Sequence, residues 1–301
     1  MNTLEIKNLS KSFGKTRIIK DVSLHVSEGE IVAFVGPNGA GKTTTLKMIT
    51  NLIWPDSGSI TIAGYDLFKQ REMALANMAG IIENPGLYTN LTGLENLQFI
   101  QKLRGVSKAR LQEVIELIGL NDKEKLHRKV RRYSLGMKQR LALGMCLLTK
   151  PKFLILDEPT NGLDPTGVIE LRQLIEKMVK EENVSVLFSS HMLGEVEKLA
   201  DRIVYIKEGS IITERIQQKE DSNIYNIHLE NQEEKAAQIL RKLSCCKQVE
   251  LQVDGILHIE AEVGNLNLIL KTLGENAITI IDIEKEKQSL EDIYRSIFTE
   301  D

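Results

Sequence analysis

"IVAFVGPNGAGKTTTLKMI", residues 31–49, decides the fold. Five consecutive apolar residues, Ile31 to Val35, bounded by Glu30 and Gly36, read as a strand buried on both faces, the kind found inside parallel sheets. Directly after it, Gly36 to Thr43 satisfy G-x-x-x-x-G-K-[ST], and the apolar-periodic "TTLKMITNLI" follows as a helix. Glycines at 36, 39 and 41 let the backbone curl so that several N–H groups point inward, and the helix aims the positive end of its dipole at the same spot. That is a cradle for the phosphates of a nucleotide, formed by Gly36, Asn38, Gly39, Ala40, Gly41, Lys42, Thr43 and Thr44. In it Lys42 reaches the β- and γ-phosphates and Thr43 ligates Mg²⁺.

Around this motif the first ~215 residues alternate strand-like and helix-like segments, which predicts an α/β domain with a largely parallel sheet. "LEIKNLSKSF" and "DVSLHV" alternate with period two and open the chain as antiparallel strands. Later strands are "MAGIIE" (78–83), "FLILDE" (153–158) and "VSVLFSS" (184–190), with helices over 107–118 and 166–182. Composition turns polar and unpatterned at "IITERIQQKEDSN", so the expected boundary separates a domain of residues 1–219 from one of residues 220–301. The second part reads strand (224–229), helix (232–243), strand (247–253), strand (256–260), helix (265–274), strand (278–283), then a short helix "SLEDIYRSIF". That order, βαββαβ, fits a small α+β sandwich.

The chain has 301 residues, 42% of them apolar and 27% charged, ordinary values for a folded protein of two domains. A net charge of −3, with acids and bases interspersed, argues against a nucleic-acid groove or a polybasic membrane anchor. Cys146, Cys245 and Cys246 fit no metal-ligand spacing, and so few cysteines suit a reducing compartment such as the cytoplasm. "MNTLEIKNLS" lacks the apolar core of a signal peptide, and no stretch approaches ~18 consecutive apolar residues. Any membrane role is therefore expected to come through a partner.

"FLILDEPTNGLD" supplies the second half of a hydrolytic site. Its strand delivers Asp157 and Glu158 to the carboxyl end of the sheet, where phosphates bind. Asp157 is placed to hold Mg²⁺ through its water shell, and Glu158 to polarise an attacking water as general base. His191, in "FSSHMLGE", ends the next strand and is a candidate γ-phosphate contact.

With these motifs in this order, residues 1 to about 215 resemble the ATP-binding subunits of ABC transporters. The resemblance implies a P-loop fold with an antiparallel β subdomain and a helical subdomain, and ATP with Mg²⁺ as ligands. Phe13 in "LSKSFGK" matches the aromatic that stacks on adenine in that family. "YSLGMKQR" (133–140) occupies the place of the L-S-G-G-Q signature and departs from it, with Leu135 and Met137 replacing a glycine and the glutamine, while Ser134 and Gly136 remain. In the family two subunits face head to tail, each signature closing over the other's ATP, so a second ATPase subunit, a homodimer, is expected. "NGLD", ending in Asp164, resembles the loop linking the two sites across that dimer.

The resemblance also implies a separate membrane permease, with a short cytoplasmic helix of that partner resting near "NPGLYTNLTGLENL". The protein would then lie in the cytoplasm, peripheral on the inner face of the membrane. "IIENPGLYTNLTGLENL", the signature and the βαββαβ extension most resemble the bacitracin-resistance and lantibiotic-immunity branch. Most ABC proteins carry glutamine where this chain has Glu83, and that branch carries glutamate, placed beside the nucleotide and the metal. Other readings are an ATPase for a lipid, sodium or drug exporter, and a non-transport ABC switch protein, the latter disfavoured by a single cassette. The second domain reads as a dimer-stabilising or packing module or as a small-molecule sensor.

Overall fold

The computed structural model describes residues 1–216, 222–252 and 255–286. The expected boundary at 219/220 and the expected helix over 289–298 lie outside the described residues. Contacts divide the chain into two compact units, Met1–Ile216 and Gln217–Asp301.

In the first unit, β1 (Asn2–Phe13) and β2 (Thr16–Ser27) pair antiparallel, then β3 (Ile31–Val35) leads through the glycine loop into α1 (Lys42–Ile49). Next come β4 (Ser57–Ile62), β5 (Tyr65–Asp66), α2 (Arg71–Ala76) and β6 (Met78–Ile81). Helices α3 (Gly93–Arg104), α4 (Lys108–Leu117), α5 (Lys123–Leu126) and α6 (Leu135–Leu147) follow, and β7 (Phe153–Asp157), α7 (Pro165–Glu182), β8 (Ser185–Ser190), α8 (Leu193–Leu199), β9 (Arg202–Lys207) and β10 (Ser210–Ile216) complete it. One sheet has the order β2-β1-β4-β5 and is antiparallel; the other runs β10-β9-β3-β8-β7-β6, parallel except for β10.

Strand β3 is buried along its whole length, as its unbroken apolar sequence requires when both faces are covered. Leu46 and Met48 of α1 share one core cluster with Leu4 and Ile6 of β1 and Phe34 of β3, so the phosphate helix is packed against both sheets. The helical segment is built from strong start signals. Thr92 and Glu95 form a reciprocal capping box before α3, and Ser107 caps α4.

A buried ion pair fixes the root of β3. Arg202 Nε donates to Glu30 Oε1 at 2.7 Å and its guanidinium also reaches the His25 carbonyl, while Glu30 Oε2 accepts the Ser27 N–H at 2.7 Å. Burial pushes the Glu30 carboxyl upward, but the hydrogen bonds from Arg202 and Ser27 and the Arg202 charge outweigh it and leave the group below the usual carboxylate range.

Strand β6 departs from expectation at its end. It stops at Ile81, two residues short, because Glu83 adopts a left-handed backbone with φ 61° and Asn84 N–H turns back to the Ile82 carbonyl. The chain leaves the sheet before the carboxylate, so Glu83 sits in the turn and not on the strand.

The second unit comprises β11 (Ser222–Leu229), α9 (Glu233–Leu240), β12 (Cys246–Leu251), β13 (Leu257–Glu262), α10 (Leu266–Glu275) and β14 (Ile280–Glu286). Its antiparallel sheet has the order β12-β13-β11-β14, the split-βαβ arrangement. Tyr225, Ile227 and Ile259 from the sheet meet Leu240, Ile269 and Leu273 from the helices in a core of its own.

Candidate functional site

The loop between β3 and α1 lies close against its surroundings, and only glycine permits this at two points. A Cβ on Gly36 would overlap the Ile206 carbonyl, and one on Gly41, whose φ is 106°, would overlap the Ile19 side chain. Lys42, buried at the start of α1, donates to the Gly36 carbonyl at 2.6 Å and the Pro37 carbonyl at 3.3 Å. Burial pushes its ammonium below the ordinary lysine value, with the charges of Glu158 and Asp157 opposing that shift. A cation hydrogen-bonded to neutral carbonyls, with the Glu158 carboxylate only at the edge of ion-pair reach at 3.9 Å, is suited to an incoming anion.

Strands β7 and β8 bring the acids to the same place. The Thr43 hydroxyl donates to Asp157 Oδ2 at 3.1 Å, and the Ser189 hydroxyl donates to Asp157 Oδ1 at 2.7 Å. Ser189 Oγ also accepts the Glu158 N–H at 2.9 Å. Glu158 itself has φ 48°, and its Oε2 lies 2.8 Å from His191 Nδ1. Lys42, Thr43, Asp157, Glu158 and His191, drawn from three separate stretches of sequence, thus form one connected cluster at the carboxyl ends of β3, β7 and β8.

The oxygens of Thr43 and Asp157 are a donor set of the right chemistry for Mg²⁺, a hard cation that uses one or two protein oxygens and completes its octahedron with phosphate and water. Among the described residues no group of three His, Cys, Asp or Glu side chains makes a self-sufficient metal site. The fit is therefore to a metal that arrives with phosphate.

The remaining expected site residues stand apart from this cluster. Glu83 is exposed, and its carboxylate is bonded to Lys47 Nζ at 2.5 Å, one turn along α1 from Thr43. Phe13 ends β1 half-exposed, with Lys11 Nζ 5.5 Å from its ring centroid. The Ser134 hydroxyl caps α6 by accepting the Met137 N–H, and Gly136 lies in the first turn. Asp164 caps α7 through the Gly167 N–H. The Ser134 and Asp164 bonds are local caps, whereas Glu83 and Lys47 are 36 residues apart.

Two contributors escaped the sequence reading. Ser189 bridges Asp157 and Glu158, and the only signal was a polar residue closing an apolar strand. Gln139, buried in α6, donates to the Pro159 carbonyl at 3.0 Å and so ties the signature helix to the turn after β7. A lone glutamine among the leucines of α6 was its trace.

Residues 19–161 match the family described as ABC transporter. The chain is 38% identical to the bacitracin transport ATP-binding protein BcrA of Bacillus licheniformis over 97% of this chain and 95% of that one. It is 45% identical to the lantibiotic transport ATP-binding protein SrtF of Streptococcus pyogenes, over 70% of this chain and 90% of that one. A solved structure of an ATP-binding subunit of an ABC transporter superposes with a TM-score of 0.64 at 32% identity, covering 71% of this chain and 90% of its own.

Proposed function

The chain belongs to the ATP-binding subunits of ABC transporters and is an ATP hydrolase, and from that premise we propose that it powers a separate membrane permease that expels an antimicrobial peptide of the bacitracin or lantibiotic kind. The observation that carries the substrate class is the reach of the BcrA match, which extends over 97% of the chain and so includes the second unit.

In this reading the Gly36–Thr44 backbone and Lys42 bind the ATP phosphates, Phe13 takes the adenine, and Thr43 and Asp157 would hold Mg²⁺, which would supply neutralisation of the phosphate charge. Glu158 accepts a proton from the attacking water, and His191 orients Glu158 and the γ-phosphate. Ser134 and Gly136, at the positive end of α6, serve a second subunit's ATP, in a homodimer that Asp164 helps to join. Glu83 approaches the metal only after leaving Lys47.

The permease would dock in a groove of about 530 Å³ lined by Leu52, Ile82, Leu87, Ile100 and Met145, with Tyr88 and Phe99 exposed nearby. No helix among the described residues is long and apolar enough to cross a membrane, so in this reading the protein is held at the inner face of the membrane by that partner. The test is expression together with a candidate permease, identified by co-purification with the chain from membranes, in a sensitive host. Raised tolerance to bacitracin or a lantibiotic, lost in Lys42→Ala, is the expected result; unchanged tolerance to both, with a change for a lipid, sodium or another drug, would reassign the substrate.

A further inference from the structure

Ser189 meets both acids of the cluster with one hydroxyl. It has no exposed surface, so no water competes for its bonds. A serine hydroxyl has one proton and two lone pairs, and a carboxylate while ionised can only accept. With the Glu158 N–H directed at Ser189 Oγ (2.9 Å), the serine proton goes to Asp157 Oδ1 (2.7 Å), and the rotor is fixed. Asp157 and Ser189 are register partners across β7 and β8, so the sheet itself sets this spacing.

Two consequences follow from the direction of that relay. Oδ1 of Asp157 is tied to the buried Ser189 hydroxyl, while Oδ2 accepts the hydroxyl of Thr43, itself a candidate metal ligand, at 3.1 Å, so Oδ2 is the oxygen turned to the side where a cation would sit. The backbone of Glu158 is also pinned in its left-handed conformation, φ 48°, which is uncommon outside glycine and determines where the side chain departs.

We propose that Ser189 is a positioning residue for ATP hydrolysis, coupling the oxygen that Asp157 offers to the metal with the direction from which Glu158 approaches the attacking water. This rests on the reading of Asp157 as the metal-holding acid and Glu158 as the base. Ser190 provides the internal contrast: it is equally buried on the other face of β8, but its hydroxyl accepts the Met192 N–H at 3.0 Å.

The experiment compares the full chain with Ser189→Ala and Ser190→Ala, using mant-ATP affinity in EDTA, the Mg²⁺ concentration for half-maximal binding and hydrolysis, kcat and KM, and Tm. In Ser189→Ala, mant-ATP binding without Mg²⁺ stays within about two-fold, since phosphate loop and Lys42 are intact, and KM for ATP moves little. The Mg²⁺ requirement rises and kcat falls, each by about ten-fold, the order expected when a metal ligand loses its hydrogen-bonded support. Ser190→Ala leaves all of these near wild type.

Equal effects from both variants, a kcat loss that only tracks a lower Tm, or an unchanged Mg²⁺ requirement would each overturn the proposal. Failure of the underlying reading looks different. It would appear as wild-type chain that does not bind mant-ATP, or as Asp157→Asn with an unaltered Mg²⁺ requirement.

Discussion

Neighbouring strands of the six-stranded sheet lead to acids with opposite fates. Strand β7, inside the sheet, ends in Asp157, 8% exposed and bonded to Thr43 and Ser189. Strand β6, at the edge, releases its chain before Glu83, whose side chain is 59% exposed and bonded to Lys47. The first acid is held by Ser189, a donor with no exposed surface that the sheet register fixes opposite it, and by part-buried Thr43 at the start of α1. The second is held by a surface ion pair of the kind worth about 0–1 kcal/mol, which solvent replaces at little cost. A carboxylate between strands is part of a fixed site, whereas one on an edge loop is free to change partners.

The sharpest way to break this contrast is Lys42→Ala. It removes the buried ammonium of the site, and ATP binding should become undetectable in a mant-ATP titration; retained affinity would show that the enclosed cluster is not where phosphates sit.

Arg202→Met tests the same contrast between two ion pairs. Glu30 would be left half-buried and unpaired, at a cost of about 3–5 kcal/mol, read as a lower urea midpoint, whereas Lys47→Met should cost less than about 1 kcal/mol. Glu30 also carries a pH signature. Its carboxyl is held below the usual range in the fold, so its contribution is complete above the unfolded value near pH ~4.3 and is lost as pH falls through the lower folded value. Glu30→Gln should therefore flatten the acid limb of stability against pH below about 4.3; an unchanged slope would mean that Arg202 does not hold the carboxylate.

Glu158→Gln should bind ATP normally while turnover drops by ~10²-fold or more, and the ATP-bound chain should run as a dimer on gel filtration. Normal turnover from a monomer would remove Glu158 as the base.

The smallest effect belongs to Glu83→Gln. Its stability change should stay below about 1 kcal/mol, with host antibiotic tolerance falling more than ATP hydrolysis. If hydrolysis falls as far as in Glu158→Gln, the edge acid is part of the fixed site after all.

The parts of the site that were legible are those whose chemistry is local. Gly36 to Thr44 announce a loop because glycine and lysine are needed at fixed steps after a strand, and Asp157 and Glu158 are conspicuous as charges ending an apolar run. The caps that Ser134, Asp164 and Thr92 provide are equally local, although Ser134 and Asp164 were read only as parts of the family's motifs and Thr92 was not singled out. Ser189 and Gln139 were not legible, since an ordinary polar residue in a buried element gains meaning only from what lies across the gap. The end of β6 was misjudged because the apolar pattern runs through Ile82, while the left-handed turn at Glu83 that halts it is not an apolar signal.

By itself the sequence determined the strand–loop–helix of the phosphate site and the βαββαβ order of the second unit, since both follow from residue spacing along the chain, and its motifs carried the resemblance to the family. Only the tertiary structure decided that Lys42 is held by backbone carbonyls, that Ser189 joins Asp157 to Glu158, and that Glu83 is bonded to Lys47. The reason is physical. Helix and strand periods are read within one segment, whereas a hydrogen bond between residues 32 apart depends on which strands become neighbours and in what register.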